Sequence, residues 1–279
     1  MELQARAKIN WTLNVTGQRA DGYHLLDMLM QPLALYDTLT IHSSSEITLT
    51  IQGADTLSPG RDNLIVRSAY ALREAAGVQK GAAMHLVKRI PMGAGLGGGS
   101  ADAAAALRGL NQFWSLNLTL DQLCQIGEKL GADIPFCLHN APRRAQGIGE
   151  ILTPIASHVF PLVLLQPCPA LSTKEVFTAY HRSAIKPPDT EAALSALEKG
   201  DLAALRSAAG NVLESASIPL RPPIAQAKEA LYVLGADFAQ MTGSGSVVFG
   251  AFRDAQTADR AYGKLKEEYA VCIRTETAL

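Results

Sequence analysis

The segment Pro91–Asp102 reads PMGAGLGGGSAD and places five glycines in twelve positions, directly ahead of the alanine-rich run ADAAAALRGL. Glycine has no Cβ, so several consecutive peptide amides can turn toward one point. Ser100 and Ala101 then open a stretch of helical character. The first N–H groups of a helix lack intrahelical partners, and its dipole is positive there. Loop and helix start together make a nest for a phosphate group. Ala101, Ala103 and Ala104 would let that helix lie close to a neighbour. The competing reading is a tight strand-to-helix turn, but an ordinary turn needs one or two glycines.

The letters also match a dinucleotide-binding fingerprint. Gly93, Gly95 and Gly98 satisfy G-x-G-x-x-G. A dinucleotide site needs that loop between two parallel strands of a βαβ unit. Here the next segment, LNLTLDQLCQIGEKL, has helical spacing, so the second strand is missing. No Gly-Lys-Ser/Thr follows the loop, which excludes a Walker site, and no V-A-I-K, H-R-D or D-F-G set is present.

Two charged residues sit in constrained places. Asp133 follows a helix stop near Gly131, in a tight GADIP turn that would hold a carboxylate rigidly. Lys8 lies between Ala7 and Ile9, in a strand expected to be buried, and a buried ammonium needs an anion. Taken alone, each has a plain reading: Lys8 a surface lysine, Asp133 and His24 turn residues, Phe177 core.

The elements that must position these groups read as α+β. AKINWTLNV, LLDMLMQPLALYDTLTI and EITLTI alternate as strands. Asp62 precedes a helix over NLIVRSAYALREAAG, AAMHLVKRIPM is a strand, and Ala101–Trp114 is a helix. Thr119 caps a helix that stops near Gly131. GIGEILTPI and FPLVLLQPC are strands near a boundary, set between domains 1–153 and 154–279. The second part holds STKEVFTAYHRS, two alanine-rich helical stretches across 189–209, and a helix over Pro222–Leu234. FAQMTGSGSVVFGAF is strand, glycine turn and strand; helix Ala255–Tyr269 and strand AVCIRTE close the chain. Strands and helices interleave without regular βα alternation, which excludes a TIM barrel or doubly wound sheet.

The 279 residues suit two domains, and 48% hydrophobic with 18% charged residues fits a globular chain. A net charge of −1 gives no sign of a nucleic-acid or membrane-surface partner. Cys124, Cys137, Cys168 and Cys272 share no C-x-x-C spacing and are expected to be reduced thiols, as in a cytoplasm. The start MELQARAKINWTLNV has no apolar h-region, and VFPLVLLQP is too short to span a bilayer.

PMGAGLGGGSADAAAAL resembles the ATP loop of the GHMP kinases, the family of galacto-, homoserine, mevalonate and phosphomevalonate kinases. Four more segments agree in the family's order: AKINWTLNVTGQRADGYHLL (7–26), DNLIVRSA (62–69), GADIPF (131–136) and MTGSGSVVFG (241–250). The likeness spans almost the whole chain. The triple glycine and the R-x-D-G-Y-H run narrow it to the branch that phosphorylates a cytidine-diphosphate-linked alcohol in non-mevalonate isoprenoid synthesis.

This resemblance implies an S5-like N-terminal domain and a ferredoxin-like C-terminal domain. It implies that Pro91, Met92, Gly93, Ala94, Gly95, Leu96, Gly97, Gly98, Gly99, Ser100 and Ala101 wrap the ATP phosphates. Asn63, Leu64, Ile65 and Lys88 would lie near the adenosine. Asp133 would be the catalytic acid/base and Lys8 its partner, while Asn10 places the acceptor. Tyr23 and Phe177 would sandwich the cytosine, with His24 at its edge and Thr173 along the same channel. Mg²⁺ is expected to arrive with ATP, with Ser100 as its protein contact. The partners implied are small molecules, with no nucleic acid, membrane or obligate protein.

The segment HNAPRRAQGIGE departs from the family, with Asn140, Ala141 and Pro142 where glycine is common. Arg143 and Arg144 either touch substrate phosphates or face water. TGSGS is read as a hairpin turn with some backbone donation. Three other functions compete: a GHMP kinase for a different alcohol, a non-catalytic sensor of the same fold, and a nicotinamide oxidoreductase. The GYH run and Phe177 argue against the first, the Lys8 and Asp133 pair against the second, and the missing strand against the third. His42, His85, His139, His158 and His181 are read as structural or surface residues.

Overall fold

A computed structural model describes residues 1–181 and 186–279. Arg182 and Ser183, the end of the STKEVFTAYHRS stretch, lie outside the described residues. In chain order the elements begin β1 (Glu2–Gln18), β2 (His24–His42), β3 (Ile47–Gln52), α1 (Leu64–Ala75), β4 (Ala82–Val87), α2 (Gly98–Phe113), α3 (Leu120–Glu128) and α4 (Ile134–His139). They continue β5 (Arg143–Gly147), β6 (Ile151–Pro154), β7 (Pro161–Leu165), α5 (Thr173–Ala179), α6 (Thr190–Lys199), α7 (Leu202–Ala208) and β8 (Gly210–Asn211). The last are α8 (Glu214–Leu220), α9 (Pro223–Val233), β9 (Phe238–Met241), β10 (Val248–Ala251), α10 (Ala255–Leu265) and β11 (Cys272–Glu276). The α+β class follows.

The chain forms two compact units. The first comprises Met1–Ala7, Leu35–Pro91 and Gly97–Asn140. Its sheet has β3 parallel to β4, with Ile47 opposite Ala82, and β4 antiparallel to the end of β2, with Thr38 opposite Val87. Helix α2 buries every residue from Ala101 to Leu107 and packs against α1 and α4. Its small face is a steric requirement. A Cβ on Gly109 would come within 2.6 Å of Leu3 Cδ1 and 2.7 Å of Ile41 Cδ1. Helix α1 begins one residue later than the sequence suggests. Asn63 is the cap, accepting from Ile65 N at 2.9 Å, while Asp62 accepts from Ser58 Oγ at 2.8 Å. Thr119 and Gln122 close a reciprocal capping box on α3.

The second unit comprises Lys8–Ala34, Met92–Leu96 and Ala141–Leu279. Here β5 pairs antiparallel with both the start of β2 and β6, and β8 runs parallel to β1 at Thr12 and Leu13. A four-stranded antiparallel sheet has the order β11-β7-β10-β9. Numbered along the chain these strands stand 4-1-3-2, the ferredoxin-like order, with α9 and α10 packed on them. Trp11 anchors the core, with ring centroids 5.4, 5.8 and 5.3 Å from Phe160, Phe238 and Phe249. Its indole N–H donates to Gln31 Oε1 at 2.8 Å, so the buried polar atom is satisfied. Cys168 and Cys272 are half-buried free thiols.

Candidate active site

The five loop glycines answer to different forces. Gly93, Gly95 and Gly97 have φ of 63°, 80° and 69°, the left-handed region that favours glycine. Gly95 is also pressed onto the TGSGS turn: a Cβ there would lie 2.2 Å from the Thr242 carbonyl oxygen. That turn joins β9 to β10 as a hairpin, as expected. Gly98 is crowded from below, since its Cβ would meet Ile90 Cγ2 at 3.0 Å and Lys88 Nζ at 3.3 Å. Gly99 is different. It is exposed, and a Cβ on it would meet only Leu64 Cδ1, at an ordinary 3.6 Å. Glycine inside a helix costs about 1 kcal/mol against alanine. Packing does not require it at 99, whereas the close approach of a ligand to the backbone would.

The start of α2 is uncapped by any side chain. Gly97 is its N-cap and offers no side-chain oxygen, and its first turn carries no acid. The first intrahelical bond comes from Ala101 N to Gly97 O, at 2.9 Å. The amides of Gly98, Gly99 and Ser100 therefore have no carbonyl of their own helix to bond. Beside this opening lies the half-buried Leu64. Ile65 is core, and the Asn63 amide is committed to capping and to the Ser58 carbonyl, at 2.7 Å.

The GADIP turn reaches the same place. A Cβ on Gly131 would lie 3.9 Å from Ser100 Oγ. Two residues on, Asp133 is the N-cap of α4, with φ −83° and ψ −9° and no capping bond from its side chain. The turn thus runs straight into a short helix, with Pro135 in its first turn. Lys88, expected near the adenosine, has its side chain only 5% exposed and ion-paired with Asp37 and Asp102. Burial acts to lower the Lys88 pKa, but the Asp102 and Asp37 carboxylates outweigh it and hold it above its ordinary value. Burial pushes the Asp102 carboxyl up to about 7; Lys88 draws it down and Asp37 adds to the rise.

In the second unit, Lys8 Nζ donates to Asn10 Oδ1 at 2.9 Å, and both side chains are buried. The same Oδ1 accepts from Thr242 Oγ1 at 3.3 Å and Gly243 N at 3.2 Å, while Asn10 Nδ2 meets Met28 Sδ at 3.4 Å. Lys8 N donates to Leu96 O at 2.9 Å, tying β1 to the loop. His24 stacks on Phe177, with centroids 4.8 Å apart and planes at 22°. Tyr23 stands 62% exposed, on the Asx turn that Asp21 makes with its N–H at 3.2 Å. Thr173 shares a hydroxyl contact of 3.1 Å with Ser244.

The chain matches the family models "GHMP kinases N terminal domain" over residues 63–141 and "GHMP kinases C terminal" over 193–271. It is 41% identical over 274 residues to a 4-diphosphocytidyl-2-C-methyl-D-erythritol kinase of Alkaliphilus metalliredigens, spanning 96% of this chain and 94% of the relative. The kinase of the same name from Pelotomaculum thermopropionicum is 41% identical over 282 residues, 98% of this chain and 96% of its own. It belongs to the 4-diphosphocytidyl-2-C-methyl-D-erythritol kinase family of GHMP kinases. A crystal structure of 4-(cytidine 5'-diphospho)-2C-methyl-D-erythritol kinase superposes with a TM-score of 0.87 at 35% identity, over 100% of both chains. A homoserine kinase from Cytophaga hutchinsonii gives 0.76 at 17% identity, covering 100% of this chain and 95% of its own, a likeness of fold alone. Kinases of this kind draw their phosphoryl group from ATP.

In this chain the divergent HNAPRR segment has a local solution. Asn140 takes φ 51° at the end of α4, the left-handed conformation that asparagine tolerates where glycine is common. Arg144 is partly exposed and is held by two acids. It binds Asp27 through two bonds of 2.8 Å and Glu191 at 2.7 Å. Two residues escaped sequence reasoning, Asp37 and Asp102. The second leaves a signal in hindsight, because SADAAAAL puts an acid on a helix stretch otherwise built for burial. No helix among the described residues is long and apolar enough to cross a membrane.

Proposed function

We propose that the chain transfers the γ-phosphoryl group of ATP to the 2-hydroxyl of 4-diphosphocytidyl-2-C-methyl-D-erythritol, in non-mevalonate isoprenoid synthesis. The observation that carries the chemistry is the approach of Gly131 to Ser100 Oγ, with the Asp133 turn beside the uncapped start of α2. The loop Pro91–Ala101 wraps the triphosphate, bound by the amides of Gly98, Gly99 and Ser100, and Leu64, backed by Asn63 and the core residue Ile65, lies beside the adenosine. Asp133 accepts the proton of the acceptor hydroxyl as its oxygen bonds to the γ-phosphorus. The bond from that phosphorus to the bridging oxygen breaks, and ADP leaves. The Lys8 ammonium, fixed by Asn10, offsets phosphate charge near the loop, and Asn10 orients the acceptor. The Phe177 ring, stacked on His24, offers an aromatic face for cytosine, which Tyr23 covers from its exposed position; Thr173 lies along that channel.

No group of three His, Cys, Asp or Glu side chains among the described residues could hold a metal ion. Mg²⁺ takes one or two protein oxygens and fills its octahedron with phosphate and water, so the single hydroxyl of Ser100 fits an ion carried by the nucleotide. When bound, it supplies charge neutralisation on the phosphate oxygens. The linear division at 153/154 would separate the family's two domains, supported by matches ending at 141 and starting at 193. The thiols of Cys168 and Cys272 suit the reducing cytoplasm, where the chain would act on small molecules alone.

A coupled ADP-release assay with the cytidylyl alcohol, homoserine, mevalonate and phosphomevalonate tests the assignment. Turnover is expected with the first alone. Turnover with homoserine or mevalonate, and none with the cytidylyl compound, would overturn it. Tyr23→Ala is expected to raise the acceptor KM about tenfold, with the ATP KM within about twofold, since stacking on a base is worth about 1–3 kcal/mol. Equal effects on both would mean that the ring only packs locally.

A further inference from the structure

The two ends of the phosphate loop are joined by one buried cation. Upstream, Asp37 on β2 holds the exit of β4: one carboxylate oxygen accepts from Arg89 N and Ile90 N, the latter at 2.8 Å, and the other binds the Lys88 ammonium. Downstream, Asp102 in α2 accepts from the same ammonium at 2.7 Å. The three side chains are at most 5% exposed. The ammonium also lies under the first turn of α2, where a Cβ on Gly98 would come 3.3 Å from it. Packing alone does not call for this arrangement. Ala101, Ala103 and Ala104 flank Asp102 in full burial, and apolar residues usually stabilise such a place at least as well as ions do.

We infer that Asp37, Lys88 and Asp102 form a buried ionic clamp that sets the separation of the loop's ends, making the two carboxylates positioning residues for ATP. The loop between the ends is rich in glycine and loses much backbone freedom when ordered. Fixing its ends beforehand leaves less of that loss for the moment of binding. Lys88 therefore acts on the nucleotide through the loop. This inference rests on the reading of the loop as the ATP site.

Asp102→Ala removes the helix side of the clamp and leaves Lys88 with Asp37. It is expected to raise the ATP KM tenfold or more, with the acceptor KM within twofold. Asp102→Asn keeps an oxygen for the ammonium and should stay within threefold of the unaltered chain. Should the alanine variant fail to fold, Asp102→Ser is read by the same criteria. Calorimetry with a non-hydrolysable ATP analogue separates loss of the clamp from absence of an ATP site. If the unaltered chain binds the analogue and Asp102→Ala or Asp102→Ser binds it equally well, the clamp is refuted. It is also refuted if both KM values move together, or if asparagine rescues nothing. If the unaltered chain does not bind the analogue, the ATP-site reading fails and the inference falls with it.

Discussion

Asp133→Asn is expected to lower kcat by roughly a hundredfold or more, with KM for either substrate within about threefold. A positioned general base contributes about 10²–10⁴ in rate, and a hundredfold corresponds to about 2.7 kcal/mol of transition-state stabilisation. The substitution suits the question because Asp133 is the N-cap of α4 yet makes no capping bond with its side chain. Asparagine has the same shape and the same tolerance of a cap position. The fold should therefore persist, and a melting curve checks that it does. A loss below tenfold would reduce the carboxylate to orienting the hydroxyl. Equal losses through KM would mean that it only binds the acceptor.

Two alanine substitutions in one loop should have opposite consequences. At Gly99 an added Cβ meets only Leu64 at 3.6 Å, in an exposed helical position. Alanine there should stabilise the fold by about 0.5–1 kcal/mol, raising Tm by about 2 °C, while raising the ATP KM at least about tenfold. At Gly95 the Cβ would lie 2.2 Å from the Thr242 carbonyl oxygen, on a residue with φ 80°. That contact cannot be made without moving backbone. Gly95→Ala should cost about 3 kcal/mol or more, seen as a lower Tm or loss of soluble protein. If Gly99→Ala binds ATP normally, its glycine is not kept for the nucleotide. If Gly95→Ala is as stable as the parent, the contact between loop and turn is not as tight as described.

Much of this was legible along the chain, and the exceptions have physical causes. The Thr119 cap, the apolar alternation of β1 to β3 and the hairpin at TGSGS are local signals, and local geometry honours them. Strand β5 has no sequence signal, because RRAQG lacks apolar alternation; it exists because β2 and β6 pair with it on either side. Helix α8 leaves no clear sequence signal, since Pro219 disfavours a helix there, although it falls in the last turn. The site divides in the same way. Glycines, the GADIP turn and the GYH run announce themselves by spacing. The Asp37, Lys88 and Asp102 cluster spans 65 positions and has no linear pattern, so only the pairing of β2 with β4 and the burial of α2 bring it together. For His24 and Phe177, separated by 153 positions, the family resemblance supplied a link that periodicity does not contain.

At the centre of the account is the claim that unpartnered amides at the mouth of α2 grip the triphosphate. Amide NMR of the ¹⁵N-labelled chain during titration with a non-hydrolysable ATP analogue tests it most directly. The largest shifts should fall on Gly98, Gly99 and Ser100, followed by Gly131 beside them. Saturable binding that leaves those four amides unmoved would contradict it.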